Sequence, residues 1–204
     1  MLAARSCGNK SSALRICGKS AGHGFRQQIV ACREKLSQDI RKLTTATHRL
    51  ISVLDQAAPD FELPATGGKT FKLSALLGQM VVLYFYPKDN TPGCTTEGQH
   101  FRDLHPQFTK AGCVVCGISR DSMKSHENFK AKMGFPFDLL SDADELACKR
   151  FNVIKLKNMY GKKVRGIERS TFVIDRNGLI RREWRGVKVP GHVPEVLEFV
   201  KSIA

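Results

Sequence analysis

The chain has 204 residues, 42% of them apolar, and a formal net charge of +14. That length suits one compact domain with an extension, and no apolar run approaches the roughly 18 residues of a membrane span. The seven cysteines lack the regular spacing of a disulfide framework, so thiol chemistry in a reducing compartment is the better reading.

Charge is concentrated at the amino end. Residues 1–50 hold ten Lys or Arg against two acids, Glu34 and Asp39, and are rich in Ser and Ala. They lack the apolar core of a secretory signal and read as an organellar transit peptide, mitochondrial before other destinations. The alternative is a disordered basic tail holding nucleic acid without sequence preference, which would leave the chain cytoplasmic or nuclear. The folded domain is expected over residues 54–204.

That domain opens with "FELPATGGKTFKL", two alternating runs that predict a hairpin. "SALLG" predicts a helical turn. "MVVLYFYP" is a near-continuous apolar run, as in a strand covered on both faces. Phe101, Leu104 and Phe108 then recur at helical spacing. "CVVCGIS" predicts a second apolar strand, and "SMKSHENFKAKMG" a helix closed by Gly134. "FDLLSD" reads as a short strand and "ADELACKRFNV" as a helix. "STFVIDRNGLIRREWRG" predicts a hairpin around Asn177-Gly178. A last amphipathic helix shows Val193, Val196, Leu197 and Val200 on one face. The order predicts an α/β fold, a mixed central sheet flanked by helices in the thioredoxin-like manner.

The chemistry centres on "TPGCTTEGQ". Thr91 is a good helix N-cap and Pro92 is favoured at the first helical position. Cys94 then stands in the first turn, where free backbone N–H groups and the positive end of the helix dipole converge. Such a site favours the nucleophilic thiolate over the thiol. Pro87 and Pro92 stiffen the loop, and Thr95 and Glu97 add polar groups that a core helix does not need.

These residues carry a resemblance. "YPKDNTPGCTTE" is similar to the peroxiredoxin pattern, with Pro87, Thr91 and Cys94 at its fixed positions. "GISRDSMKSHENF", "FDLLSDADE", "GIERSTFVIDRNGLI" and "WRGVKVPGH" extend it over roughly residues 55–204. The domain resembles the peroxiredoxin Q, or bacterioferritin comigratory protein, subfamily. The resemblance implies a thiol-dependent peroxidase acting on hydrogen peroxide and organic hydroperoxides. Cys94 would pass through a sulfenic acid, Thr91 would hold the peroxide, and Arg169 would be the active-site cation. Pro87, Pro92, Gly93 and Glu97 would support the site. It favours a monomer with thioredoxin-type electron donors.

The chain departs from the pattern at the step that regenerates sulfur. A sulfenic acid is usually reduced through a disulfide with a resolving thiol. The resemblance places that thiol at position 99 or 130, occupied here by Gln99 and Lys130. Cys113 and Cys116 lie three apart on one strand and point to opposite faces, so they cannot pair without distortion. Cys148 is the weak intramolecular candidate that is left, and the leader cysteines Cys7, Cys17 and Cys32 are a lesser one, available only if the leader is retained. The expectation is a one-cysteine mechanism with an external reductant: a thioredoxin-like protein, a glutaredoxin or a small thiol. No metal, haem or flavin motif appears, and this chemistry needs no cofactor. The alternatives are a thioredoxin-fold redox sensor or disulfide reductase without peroxide turnover, and a nucleic-acid-associated protein. The first would need a cysteine paired with Cys94, which "GCTTEG" lacks. For the second, the basic cluster lies in the leader and not on the domain.

Overall fold

The computed structural model describes residues 54–159 and 162–204, so the leader expected over residues 1–50 lies outside the described residues. Strands β1 (Glu62–Ala65) and β2 (Lys69–Lys72) form the expected hairpin. A 3-10 turn, Leu73–Leu76, leads to β3 (Met80–Phe85). Helix α1 (Pro92–Lys110), β4 (Cys113–Ser119), α2 (Met123–Met133) and β5 (Asp138–Ser141) follow. Next come α3 (Leu146–Arg150), β6 (Ile154–Met159), β7 (Lys162–Ile167), β8 (Ser170–Ile174), β9 (Ile180–Arg185) and α4 (His192–Ile203).

Seven strands form one mixed sheet in the order β2-β1-β5-β4-β3-β8-β9. Strands β3, β4 and β5 run parallel, with the crossovers that parallel pairing requires made by α1 and α2. The apolar run in β3 follows from burial on both sides. Val81, Leu83 and Phe85 enter one core and Met80, Val82 and Tyr84 the other, as a period of two dictates. Helices α1, α2 and α4 cover the second face with Phe101, Phe108, Phe129, Val196 and Val200. Cys113 joins that core and Cys116 the opposite one, as the strand reading requires.

Three details differ from the sequence reading. Strands β6 and β7 pair as a separate two-stranded ribbon that no predicted element covered. Its Leu156 is 71% exposed, so no buried stripe marked it out. The helix expected in "ADELACKRFNV" is only five residues long. Glu145 is left-handed there, and the Asp142 carboxylate accepts from the backbone N–H of Leu146 at 2.6 Å and Cys148 at 2.7 Å. The turn at Asn177-Gly178 is wider than two residues. Asp175 Oδ1 accepts from the N–H of Asn177 and Leu179 at 2.9 and 3.0 Å, and only Gly178 takes a positive φ.

Gly98 marks the tightest seam between helix and core. A Cβ there would stand 2.5 Å from the Phe135 ring, itself stacked on Phe137 and edge-on to Phe129. The ring has no room to withdraw. Gly98→Ala is expected to lower unfolding stability by about 1–3 kcal/mol, the usual cost of overpacking, as read from urea denaturation midpoints.

Candidate active site

Helix α1 begins where β3 runs out at the sheet edge. Thr91 has extended backbone and Pro92 is the first helical residue. The first turn closes through Thr95 N–H to the Thr91 carbonyl at 2.9 Å. The Thr91 hydroxyl does not cap the helix. It donates to the Lys88 carbonyl at 3.0 Å, so Thr91 ties down the loop instead. Cys94 stands in that first turn and is 2% exposed.

Arg169 reaches the sulfur from the strand on the other side of β3. It immediately precedes β8, whose Ser170 pairs with Phe85 at the end of β3. Its carbonyl is anchored by Val187 N–H at 3.0 Å. Its Nη2 donates to Cys94 Sγ at 3.2 Å, while its Nη1 pairs with Glu97 Oε2. Gly93 makes this approach possible: a Cβ there would lie 3.3 Å from Arg169 Nη2. Glu97 is fully buried, and its Oε1 has no hydrogen-bond partner. Burial pushes its carboxyl from 4.5 up to about 7, against the opposing pull of Arg169.

A buried polar network, which the sequence reading missed, fixes the loop from the opposite side. Asp89 accepts from the Tyr86 hydroxyl at 2.8 Å and the Ser125 hydroxyl at 2.7 Å, and its Oδ2 lies 3.0 Å from His126 Nδ1. Its own N–H donates to Asp121 Oδ2 at 2.9 Å. The charged member was visible in "YPKDN" and its partners in "SMKSHENF". Nothing in spacing alone said that the two segments meet.

The remaining predicted residues scatter. Pro87 lines the wall beside Lys88 and Arg120. Gln99 lies on α1, its amide 3.9 Å from Met133 Sδ. Lys130 Nζ donates to Asp138 Oδ1 at 2.6 Å and to Thr66 Oγ1 at 3.2 Å. Cys94, Cys113, Cys116 and Cys148 are all free and buried. Burial pushes Cys113 up to about 12 and Cys116 and Cys148 well above the usual thiol range, as for inert core thiols.

Comparison with known proteins gives this arrangement a family. Residues 54–183 match the AhpC/TSA family. Peroxiredoxin Bcp of Xanthomonas campestris is 54% identical over 155 residues, 75% of this chain and 97% of that protein. A chloroplastic peroxiredoxin Q from Suaeda salsa is 41% identical over 197 residues, 96% of this chain and 90% of that protein. A solved structure of the Xanthomonas campestris bacterioferritin comigratory protein, studied for alkyl peroxide reduction, superposes with a TM-score of 0.67. It is 54% identical and covers 70% of this chain and 90% of that one. The chain belongs to the AhpC/TSA family and has its thioredoxin-like fold. Within that family it is a peroxiredoxin of the Bcp/peroxiredoxin Q kind, a thiol-dependent peroxidase.

The Glu97 carboxyl makes stability depend on pH. Between about 4.5 and 7 the folded chain keeps a proton that the unfolded chain has released. Its contribution to stability is therefore full below about pH 4.5, falls as pH rises through about 7, and is flat beyond. Glu97→Gln removes that slope. Urea midpoints at about pH 5 and about pH 8 should show the wild type losing stability relative to the variant. A difference that is the same at both pH values would contradict the assignment.

Proposed function

We propose that Cys94 is the peroxidatic thiol and that it works by a one-cysteine cycle with an external thiol donor. The observation that carries this is the contact between Arg169 Nη2 and Cys94 Sγ at 3.2 Å. A permanent cation there stabilises the attacking thiolate and the charge that grows on the departing oxygen. The thiolate attacks one peroxide oxygen. An S–O bond forms, the O–O bond breaks, and sulfur loses two electrons. The other oxygen leaves as hydroxide or alkoxide and takes a proton, giving water or alcohol. Thr91 spends its hydroxyl hydrogen on Lys88, so its oxygen is left to accept from the peroxide O–H. Glu97 holds the guanidinium toward the sulfur.

The other cysteines among the described residues support the external donor. Cys116 and Cys148 belong to the core on the opposite face of the sheet. Cys113 shares the face of Cys94 but pairs with Met80, at the far end of β3. Six residues of strand separate those ends, about 20 Å, whereas a disulfide needs Cα atoms within about 7 Å. A donor thiol then attacks the sulfenic sulfur, releasing water and leaving a mixed disulfide. A second thiol displaces Cys94 as thiolate. The donor is a thioredoxin-like protein, a glutaredoxin or a small thiol. Because Cys94 is 2% exposed, the first turn of α1 must open to admit it.

Intact-mass measurement after one equivalent of peroxide tests the cycle. A dimedone adduct is expected on wild type and on the variant with Cys113, Cys116 and Cys148 replaced by Ala. None is expected on Cys94→Ser, which should also lose peroxide consumption. A loss of two hydrogens without an adduct would mean an internal disulfide and would defeat the one-cysteine reading. Peroxide turnover itself separates this enzyme from a non-turnover redox sensor.

The reading includes the leader. Residues 1–50 act as an organellar transit peptide, a role supported by their composition and by a chloroplastic relative that aligns over 197 residues. Residues 1–50 fused to a fluorescent protein should direct it to an organelle. A diffuse or nuclear signal would favour the basic-tail alternative.

A further inference from the structure

The separate ribbon of β6 and β7 belongs to the stretch that carries the domain's charge. Residues 51–204 hold 23 Lys or Arg against 17 acids. Seven of those cations lie between Leu146 and Ile167, where there is no acid, so the whole positive excess comes from that stretch. The leader is therefore not the chain's only basic cluster, which corrects the sequence reading. The ribbon also adjoins the active site. Strand β7 ends at Ile167, and the N–H of Glu168 fastens that end to the Val153 carbonyl at 2.7 Å. Arg169 is two residues past the strand, at most about 7 Å along the chain. Its Nη2 lies 3.2 Å from Cys94 Sγ.

Among the described residues β6 and β7 pair only with each other, so each leaves one edge free. Lysines commonly guard such edges against association. A guard does not need exposed apolar residues, yet Leu156 is 71% and Val164 43% exposed. Paired residues share a face and successive residues alternate. Lys163 and Arg165 therefore lie on the face of Leu156, and Lys155 on that of Val164. Lys155 donates to Asn152 Oδ1 at 3.4 Å, and neither it nor Lys163 forms an ion pair among the described residues. Glu145, the last acid before the ribbon, is already shared by Arg120, Lys149 and Arg165. Apolar residues set among unspent cations fit a protein surface that is acidic around an apolar centre.

We propose that the ribbon is the docking arm for a protein electron donor whose surface is acidic around its thiol. The inference rests on the external-donor reading above. Nucleic acid and lipid headgroups would also answer the charge, but neither carries the thiol that the sulfenic sulfur requires. A donor held along the ribbon stands beside Arg169, and hence beside Cys94. Opposite charge steers its approach and acts on the rate of encounter more than on the chemistry. The reduction is the one already written. The donor thiol displaces water from the sulfenic sulfur, and a second thiol frees Cys94 as thiolate.

Peroxide turnover with an acidic thioredoxin, an acidic glutaredoxin and 2-mercaptoethanol as donors tests it. In the wild type, kcat/KM for at least one of the two proteins should fall about tenfold as salt rises from about 0.02 to about 0.5 M, as for a steered encounter. Lys155→Glu combined with Lys163→Glu should lower that constant about tenfold at low salt and little at high salt. Leu156→Ser should lower it at both. Replacing the acids around the donor's thiol by Lys should restore turnover of the reversed-charge variant, a rescue that a folding defect would not give. Turnover with 2-mercaptoethanol should stay unchanged in every variant. Unchanged donor kinetics in the variants, or an equal loss with the proteins and with 2-mercaptoethanol, would overturn the docking arm. So would turnover with 2-mercaptoethanol and with neither protein. Weaker retention of the reversed-charge variant on phosphatidylserine vesicles or on a DNA duplex, with its donor kinetics intact, would give the ribbon to lipid or nucleic acid and overturn it too. No turnover with any donor would instead remove the external-donor reading itself.

Discussion

The guanidinium of Arg169 is the constraint around which the site is organised. A largely covered cation needs partners on its donors, or its desolvation would not be offset. Here both come from one turn of one helix. Cys94 and Glu97 are three residues apart on α1, and residues so spaced share a face. One nitrogen takes the sulfur and another the carboxylate. The absence of a side chain at Gly93 lets the guanidinium approach, and the pairing of Phe85 with Ser170 delivers it. The register of β8 on β3 thus becomes a chemical variable. A slip of one residue would turn every β8 side chain to the other face and displace the loop that carries Arg169.

The loop that carries Thr91 and Cys94 is held from two sides by unlike forces. On one side the cation draws in sulfur and carboxylate. On the other, Asp89 gathers Tyr86, Ser125 and His126 into a buried network whose members are costly to leave unpaired. The network reaches α2, so the loop's position is coupled to a helix distant in sequence. Under the cycle proposed above, this arrangement holds a nearly buried sulfur in place for a small peroxide. It also sets a threshold for the donor, because opening the first turn of α1 disturbs both sets of contacts.

Much of this was legible in the sequence because local pattern and chemistry agreed. The unbroken apolar run at Met80 to Phe85 suited a strand covered on both faces. Thr91 and Pro92 placed Cys94 in a first turn, and the spacing of Cys113 and Cys116 divided them between two cores. What stayed hidden was long-range. Glu97 was visible as a polar residue in excess, but its burial against Arg169 depends on a contact across 72 positions. The network around Asp89 joins segments 36 and 37 positions apart. The ribbon of β6 and β7 escaped because its apolar residues do not form a buried stripe. The role of Thr91 was half legible: its backbone position was correct, while its hydroxyl found a carbonyl within the loop instead of the helix.

The two positions where a partner thiol was sought show how the chain has used them instead. Lys130 is bonded to Asp138 on β5 and to Thr66 at the end of the first hairpin. Asp138 also lies 3.7 Å from Lys69. These contacts fasten α2 to the sheet edge. The lysine's contacts resist movement of that helix away from the sheet. Gln99 packs its amide toward Met133 and so adds to the seam between α1 and α2. Stability at these positions and an internal disulfide are competing uses of the same residues. Under the one-cysteine cycle proposed above, a chain that takes the first obtains its reducing equivalents from outside.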